Sequence, residues 1–320
     1  MTANSDDPQT LQAAIKFWSD PVACDDYLRS IRWPTGVVRC LHCDSNKVTW
    51  MEGRRKYQCN ACRKQFSMTV GTIYESSKVK LEQWFLATWL LAGCRNGVSS
   101  YEIARHCGVT QKTAWFMEQR IRTAMELGDG DKFDGPAEAD ASYIGGKAAN
   151  MHKARRERVI RGRGATGKAI VHGVMQRGEP SQVRADVVGA DDSATLVPAV
   201  RRQVRYGGTV YTDAAASYGE LAFTHWHQAI DHTQSYVRGA VHTNGLENFW
   251  SCLKRALAGT YIAVAPFHLF RYTAEQVFRF NHRLESDFDR FAAVVASGIG
   301  RRLTYRVLTA KNDAGFMGIK

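Results

Sequence analysis

The chain has 320 residues, 44% of them apolar and 23% charged, which suits a globular protein with two or three compact units. No apolar run approaches the roughly 20 residues that cross a bilayer, and the polar start MTANSDDPQT has no basic or apolar signal region, so the expectation is a cytoplasmic protein with no membrane attachment. The formal net charge of +12 favours a polyanionic partner, although basic balance alone is a weak signal.

Residues 1–32 read as a helical lead-in with Leu11, Ile15, Phe17 and Trp18 on a partly apolar stripe. Four of the eight cysteines then form two pairs, Cys40-x-x-Cys43 and Cys59-x-x-Cys62, separated by fifteen residues. That spacing fits one structural zinc ion held by four thiolates, in a ribbon over 33–70. The alternating VTWMEGRRKYQ between the pairs reads as a hairpin turning at Glu52-Gly53. Basic residues on the ribbon suit a nucleic-acid face, while ribbons also serve as protein-binding modules.

Residues 78–127 read as helical, with an apolar LEQWFLATWLLA, a second helix capped by Ser99 or Ser100 and ended at Gly108, and a third after Thr110. Helix, short glycine turn and helix match a helix-turn-helix, which would set Gln111, Lys112 and Thr113 where side chains reach base edges. A plain three-helix packing unit is the rival reading.

The polar GDGDKFDG over 128–135 marks a boundary, and beyond it the periodicity turns to strands over 133–285. Asp140 lies midway along one of them. The following run carries Arg155, Arg156, Arg158, Arg161 and Arg163 among glycines, which reads as a loop that clamps phosphates. A helix opened by Asp191 or Asp192 leads to TVYTD, a strand with Asp213 at its carboxyl end, where ligands gather in open sheets. In HTNGLENFWSCLKR, Leu246, Phe249, Trp250, Leu253 and Leu257 make an apolar helix face, with Trp250 in the core, and Glu247 lies on another. Asn244 three residues earlier leaves open whether Glu247 only closes a capping box. His242 ahead of this helix suits a structural hydrogen bond, whereas Arg279, Asn281 and Arg283 suit DNA or a helix surface equally. Residues 286–320 are left as a C-terminal tail.

Acids from two strands and a helix, Asp140, Asp213 and Glu247, can converge on two Mg²⁺ (or Mn²⁺) ions, which prefer carboxylate oxygens and drive phosphodiester chemistry. The cysteine pairs together with EADASYIGGK, VYTDAAASY, HTNGLENFWSCLKRALAGTY and HLFRYTAEQVFRFNHR resemble bacterial insertion-sequence transposases of the ISXO-like group, from roughly Trp33 to Arg283. The resemblance implies an α/β, RNase H-like mixed sheet with flanking helices behind the ribbon and helical unit, and Asp140, Asp213 and Glu247 as the metal-binding triad. It implies Lys254 as a contact to element-end DNA. It also implies binding of terminal inverted repeats, strand transfer to target DNA, a homo-oligomer on double-stranded DNA, and association with the bacterial nucleoid. Ala141 stands where many relatives carry glutamate. The alternative is a non-catalytic zinc-ribbon and helix-turn-helix DNA-binding regulator, which needs no converging carboxylates; a nuclease that cuts without joining is a third reading.

Overall fold

The computed structural model describes residues 7–128, 130–145, 168–213, 215–230, 241–262 and 264–310. They divide into two compact units, one of Met1–Glu126 with Glu285–Lys311 and one running over Leu127–Leu284.

In the first unit, α1 (Leu11–Trp18) is capped by Thr10, and α2 (Pro21–Arg32) by Asp20 with proline at its first position. The ribbon pairs β1 (Val48–Met51) with β2 (Lys56–Cys59) and β2 with β3 (Gln65–Phe66), all antiparallel. Its hairpin turns through Glu52–Arg54 and a left-handed Arg55. The helix α3 (Leu81–Gly93) is apolar nearly all round and buries Trp84, Phe85, Trp89 and Leu91, so it forms the centre of the unit.

Next, α4 (Ser100–Cys107) opens on a complete capping box. The Glu102 backbone N–H donates to Ser99 Oγ at 3.3 Å, and its carboxylate accepts from the Ser99 N–H at 2.9 Å. The left-handed Gly108 ends the helix and Thr110 caps α5 (Gln111–Met125).

Five strands build the second unit. They are β4 (Ala137–Ile144), β5 (Ala169–Gln176), β6 (Gln182–Val188), β7 (Thr209–Asp213) and β8 (Trp226–Ile230), in the sheet order β6-β5-β4-β7-β8. The pairs β6–β5 and β5–β4 are antiparallel, whereas β4–β7 and β7–β8 are parallel. This is the mixed sheet expected from the motifs. One face, through Ala137, Ala139, Val174 and Val210, packs on Leu196, Val197 and Val200 of α6 (Ser193–Gln203). The opposite face, through Val171, Met175 and Val183, packs on Leu246, Phe249, Trp250 and Leu253 of α7 (Asn244–Ala256) and on Leu269 and Val277 of α8 (Leu269–Asn281).

Asn281 and Arg283 hold strand β6 and the residues before it. The Asn281 amide accepts from the Val183 N–H at 2.8 Å and donates to its carbonyl at 2.9 Å, and Arg283 donates to the Ser181 carbonyl at 2.9 Å. Arg279 is buried beside Glu275. All three therefore have structural partners within this unit.

The last described segment differs from the expected tail. Residues Asp287–Ser297 form α9, capped by Ser286, and Tyr305–Thr309 form α10. Phe291 of α9 packs against Phe85 at 5.3 Å and Trp18 at 5.1 Å between ring centroids. Phe288, Phe291, Val294 and Val295 recur at helical spacing and are buried, so the apolar face that draws this segment onto α3 is visible in its own sequence.

Candidate active site and metal centre

The ribbon sulfurs come first. Cys40, Cys43, Cys59 and Cys62 bring their Sγ atoms within 4.8 Å of one another. Cys40 and Cys62 are 3.7 Å apart, and Cys43 and Cys59 are 3.6 Å apart. A tetrahedron with Zn–S bonds of about 2.3 Å has edges of about 3.8 Å, so the four thiols match the shell of one Zn²⁺. The Cys62 backbone N–H, donating to Cys59 Sγ at 3.4 Å, is the main cause that pulls the Cys59 thiol down to about 6.

In the second unit, β4 alternates its side chains between the two faces, so Glu138 and Asp140 point to the α7 side. Ala139 pairs with Thr212 of β7, and one step further Asp140 stands beside Asp213 on a neighbouring parallel strand. Strands lie roughly 4.8 Å apart, so the end of β7 lies beside the middle of β4.

Trp250 ties Asp140 to α7. Its indole Nε1–H donates to Asp140 Oδ2 at 2.8 Å, while the Ala141 N–H donates to Oδ1 at 2.8 Å. The ring can lie there because β5 has Gly173 opposite Asp140, and a Cβ at that position would sit 2.9 Å from Trp250 Cζ2 and Cη2. Glu247 precedes Trp250 by three residues, about one turn. An open cleft of about 630 Å³ is lined by Asp140, Tyr143, Lys168, Glu247, Ser251 and Lys254, among others.

Burial pushes the Asp140 carboxyl up to about 6; the Trp250 hydrogen bond opposes the rise, and the charges of Asp213 and Glu247 add to it. The charges of Asp213 and Glu247 thus reach Asp140, but the three acids are not gathered as closely as the cysteines. Among the described residues only the cysteine set has all its ligand atoms within 4.8 Å. Asp213 does not line the cleft, and its Oδ1 accepts from the Ala215 N–H at 3.3 Å. Asp192 caps α6, and Asp191 accepts from the Tyr143 hydroxyl.

The start of α7 differs from the capping-box reading. Thr243, not Asn244, is the N-cap and makes no side-chain cap bond. The orphan N–H of Leu246 is instead satisfied by Glu138 Oε2 at 3.0 Å, from 108 residues away. Glu247 therefore lies beyond the cap position and faces the cleft.

The other expected contacts are dispersed. Gln111 donates to Ser100 Oγ at 2.8 Å, and the Thr113 hydroxyl shares a hydrogen bond with Thr110 at 2.9 Å. Lys112 is exposed, with its ammonium 5.2 Å from the centre of the Tyr305 ring. Arg155, Arg156, Arg158, Arg161 and Arg163 lie outside the described residues. The sequence pattern overlooked Glu138, Arg177, Gly173 and the hydrogen bond of Trp250, whereas Lys168 closes the basic run read as a phosphate clamp. Only Glu138 had a local signal, an acid two residues before Asp140 and so on the same strand face.

The profile of the ISXO2-like transposase domain matches residues 132–281, and that of the transposase zinc-ribbon domain matches residues 19–65. The chain is 30% identical over 244 residues to an uncharacterized protein in transposable element ISH50 of Halobacterium salinarum, covering 72% of this chain and 81% of the relative. It is also 34% identical over 97 residues to an uncharacterized transposase-like protein of Haemophilus influenzae, covering 30% of this chain and 78% of the relative. A sulfur tetrahedron sized for zinc, a mixed five-stranded sheet, both domain profiles and the ISH50 relative agree: the chain belongs to the ISXO2-like insertion-sequence transposases.

Proposed function

We propose that this transposase cuts the phosphodiester at the ends of its element and joins the freed 3′-hydroxyls to target DNA, with Asp140, Asp213 and Glu247 as the ligands of two divalent cations, Mg²⁺ or Mn²⁺. The observation that carries the reading is that Asp140 and Asp213 each follow the last paired residues of their parallel strands, Ala139 and Thr212, with Trp250 of the Glu247 helix bonded to Asp140. The donor set fits: three carboxylates offer hard oxygens, and a cation would offset both the burial that chiefly raises Asp140 and the smaller push from the charges of Asp213 and Glu247. Held by these three acids, a pair of divalent cations would supply activation of the attacking oxygen and stabilisation of the leaving one.

The chain's own residues do the rest. Trp250 fixes the orientation of Asp140, and Lys168 and Lys254 on the cleft rim attract the phosphate backbone. In the first step water adds to phosphorus and the 3′-oxygen leaves as a hydroxyl. In the second that hydroxyl adds to a target phosphate and a target 3′-oxygen leaves. One bond forms and one breaks each time, so no covalent enzyme intermediate is needed. The ribbon over 33–70 and the helical unit over 78–127 bind the terminal inverted repeats, with Lys112 as an exposed cation at the start of α5, and the basic run at 155–163 clamps phosphates. Joining two ends calls for a homo-oligomer on DNA, and the basic charge keeps the protein with the nucleoid.

The test is cleavage and joining of labelled DNA carrying the element's own ends, with Mg²⁺, comparing the wild type with Asp213→Asn and Glu247→Gln. Loss of both reactions with end binding retained supports the reading. Wild-type cutting and joining by the variants removes the triad. End binding by a wild type that never cuts favours the regulator.

A further inference from the structure

Two residues before Asp140, on the same face of β4, Glu138 is 2% exposed. Both of its oxygens are taken. Oε1 accepts from Arg177 Nε at 2.8 Å, and Oε2 accepts from the Leu246 N–H in the first turn of α7 at 3.0 Å. Arg177, just past β5, reaches onward from Glu138. Its Nη2 donates to the His242 carbonyl at 2.6 Å and stands 2.9 Å from His242 Nδ1, immediately before α7. Its guanidinium also lies 4.3 Å from the centre of the Tyr211 ring on β7.

The members of this layer keep a fixed relation to the three acids. Glu138 precedes Asp140 by two residues, Tyr211 precedes Asp213 by two, and Leu246 precedes Glu247 by one. Two strand residues span roughly 7 Å, so the layer lies one pleat repeat behind the acids on both strands. It joins the elements that deliver all three. There is no room for variation at the helix start: a Cβ on Gly245 would meet Met175 Sδ at 2.6 Å and Glu138 Oε2 at 2.9 Å.

We propose that Glu138, held by Arg177, is a positioning residue for the metal site: it caps α7 from the sheet face on which that helix packs and thereby fixes where Glu247 stands relative to Asp140 and Asp213. This rests on the reading of those acids as metal ligands. Arg177 compensates the buried charge, so Glu138 serves the helix N-terminus and not the cation. Groups that orient ligands from behind typically change metal affinity 10- to 100-fold when altered.

The test uses the full-length, zinc-loaded protein. Mn²⁺ binding is measured by calorimetry without DNA, amide exchange is followed at Leu246, and end cleavage is titrated with Mn²⁺. Glu138→Gln keeps the shape but turns an amide NH₂ toward Arg177 or the Leu246 N–H. Its expected result is Mn²⁺ affinity lower by about tenfold, faster exchange at Leu246, and a cleavage rate that returns close to wild type at saturating Mn²⁺. Arg177→Lys, which keeps the charge and loses the fork, should shift the affinity in the same direction by less.

Wild-type Mn²⁺ affinity and Leu246 protection in Glu138→Gln overturn the proposal, as does a cleavage defect that saturating Mn²⁺ leaves untouched. If Glu138→Gln does not fold, Arg177→Lys decides alone, and wild-type affinity there overturns it. Asp213→Asn and Glu247→Gln separate the two levels. If they bind Mn²⁺ as the wild type does, the acid assignment itself falls and the proposal with it. If they lose Mn²⁺ while Glu138→Gln does not, only the positioning role falls.

Discussion

The indole N–H of Trp250 donates to Asp140 Oδ2 at 2.8 Å, joining two residues 110 positions apart on a helix and a central strand. Trp250 is both a core side chain, 4% exposed, and the group that fixes how Asp140 presents its carboxylate. Trp250→Phe keeps most of the packing and removes the donor. A lost hydrogen bond to a charged acceptor costs about 1–3 kcal/mol. We expect unfolding at lower denaturant, together with end cleavage slower by tenfold or more and end binding unchanged. Cleavage at the wild-type rate in a Trp250→Phe protein would show that the hydrogen bond serves packing alone.

Gly173 supplies the space for that ring. Gly173→Ala sets a methyl group 2.9 Å from two indole atoms, and overpacking of this kind costs about 1–3 kcal/mol. Because the obstacle is Trp250 itself, Gly173→Ala combined with Trp250→Leu should cost less than the sum of the single changes, as read from a double-mutant cycle in urea. Additive costs would mean that Leu246, whose Cδ2 would lie 3.1 Å from the methyl group, and not the indole resists it.

Both relationships lie beyond what the sequence could reveal. Close ligand spacing made the four cysteines legible, since two tight pairs need little more than a hairpin to meet. Periodicity made α7 and the two acid-bearing strands legible, because 3.6- and 2-residue repeats are local signals. The partner of an indole N–H 110 residues away leaves no local trace. The same holds for the helix start: Asn244 looked like a cap by spacing, yet Glu138 on the facing strand satisfies Leu246. The helices within 286–309 carried an apolar repeat of their own, and the assumption of a tail overlooked it.

The zinc assignment predicts one zinc per chain, lost on substitution of Cys40→Ser or Cys59→Ser. Ligand thiolates and folding are coupled in such sites, so metal removal should lower the thermal midpoint of the first unit and weaken binding to end DNA. A metal-free protein with an unchanged midpoint and unchanged end binding would remove zinc from both roles.

His172 on β5 predicts a pH dependence of stability. Burial pulls its imidazole down to about 4, below the usual 6.5, so the unfolded chain takes up a proton that the folded chain refuses. Stability is therefore full above about 6.5 and falls as pH drops toward 4, by up to about 3 kcal/mol in all and about 2 kcal/mol by pH 5. Asp140, raised to about 6, works in the opposite sense, so the comparison has to be made against His172→Leu. The loss between pH 7 and pH 5 should be smaller in that variant. Equal losses would place the pH dependence elsewhere.

The central claim, that Asp140, Asp213 and Glu247 hold the catalytic cations, is tested most directly by letting the metal mark its own ligands. Fe²⁺ replaces Mg²⁺ in the full-length protein, and ascorbate with peroxide then generates radicals that cut the chain beside the bound ion. The account predicts cuts clustered near residues 140, 213 and 247, suppressed by excess Mg²⁺ and absent in Asp213→Asn. Cuts confined to other regions, or cuts near these residues that persist in Asp213→Asn, would contradict it.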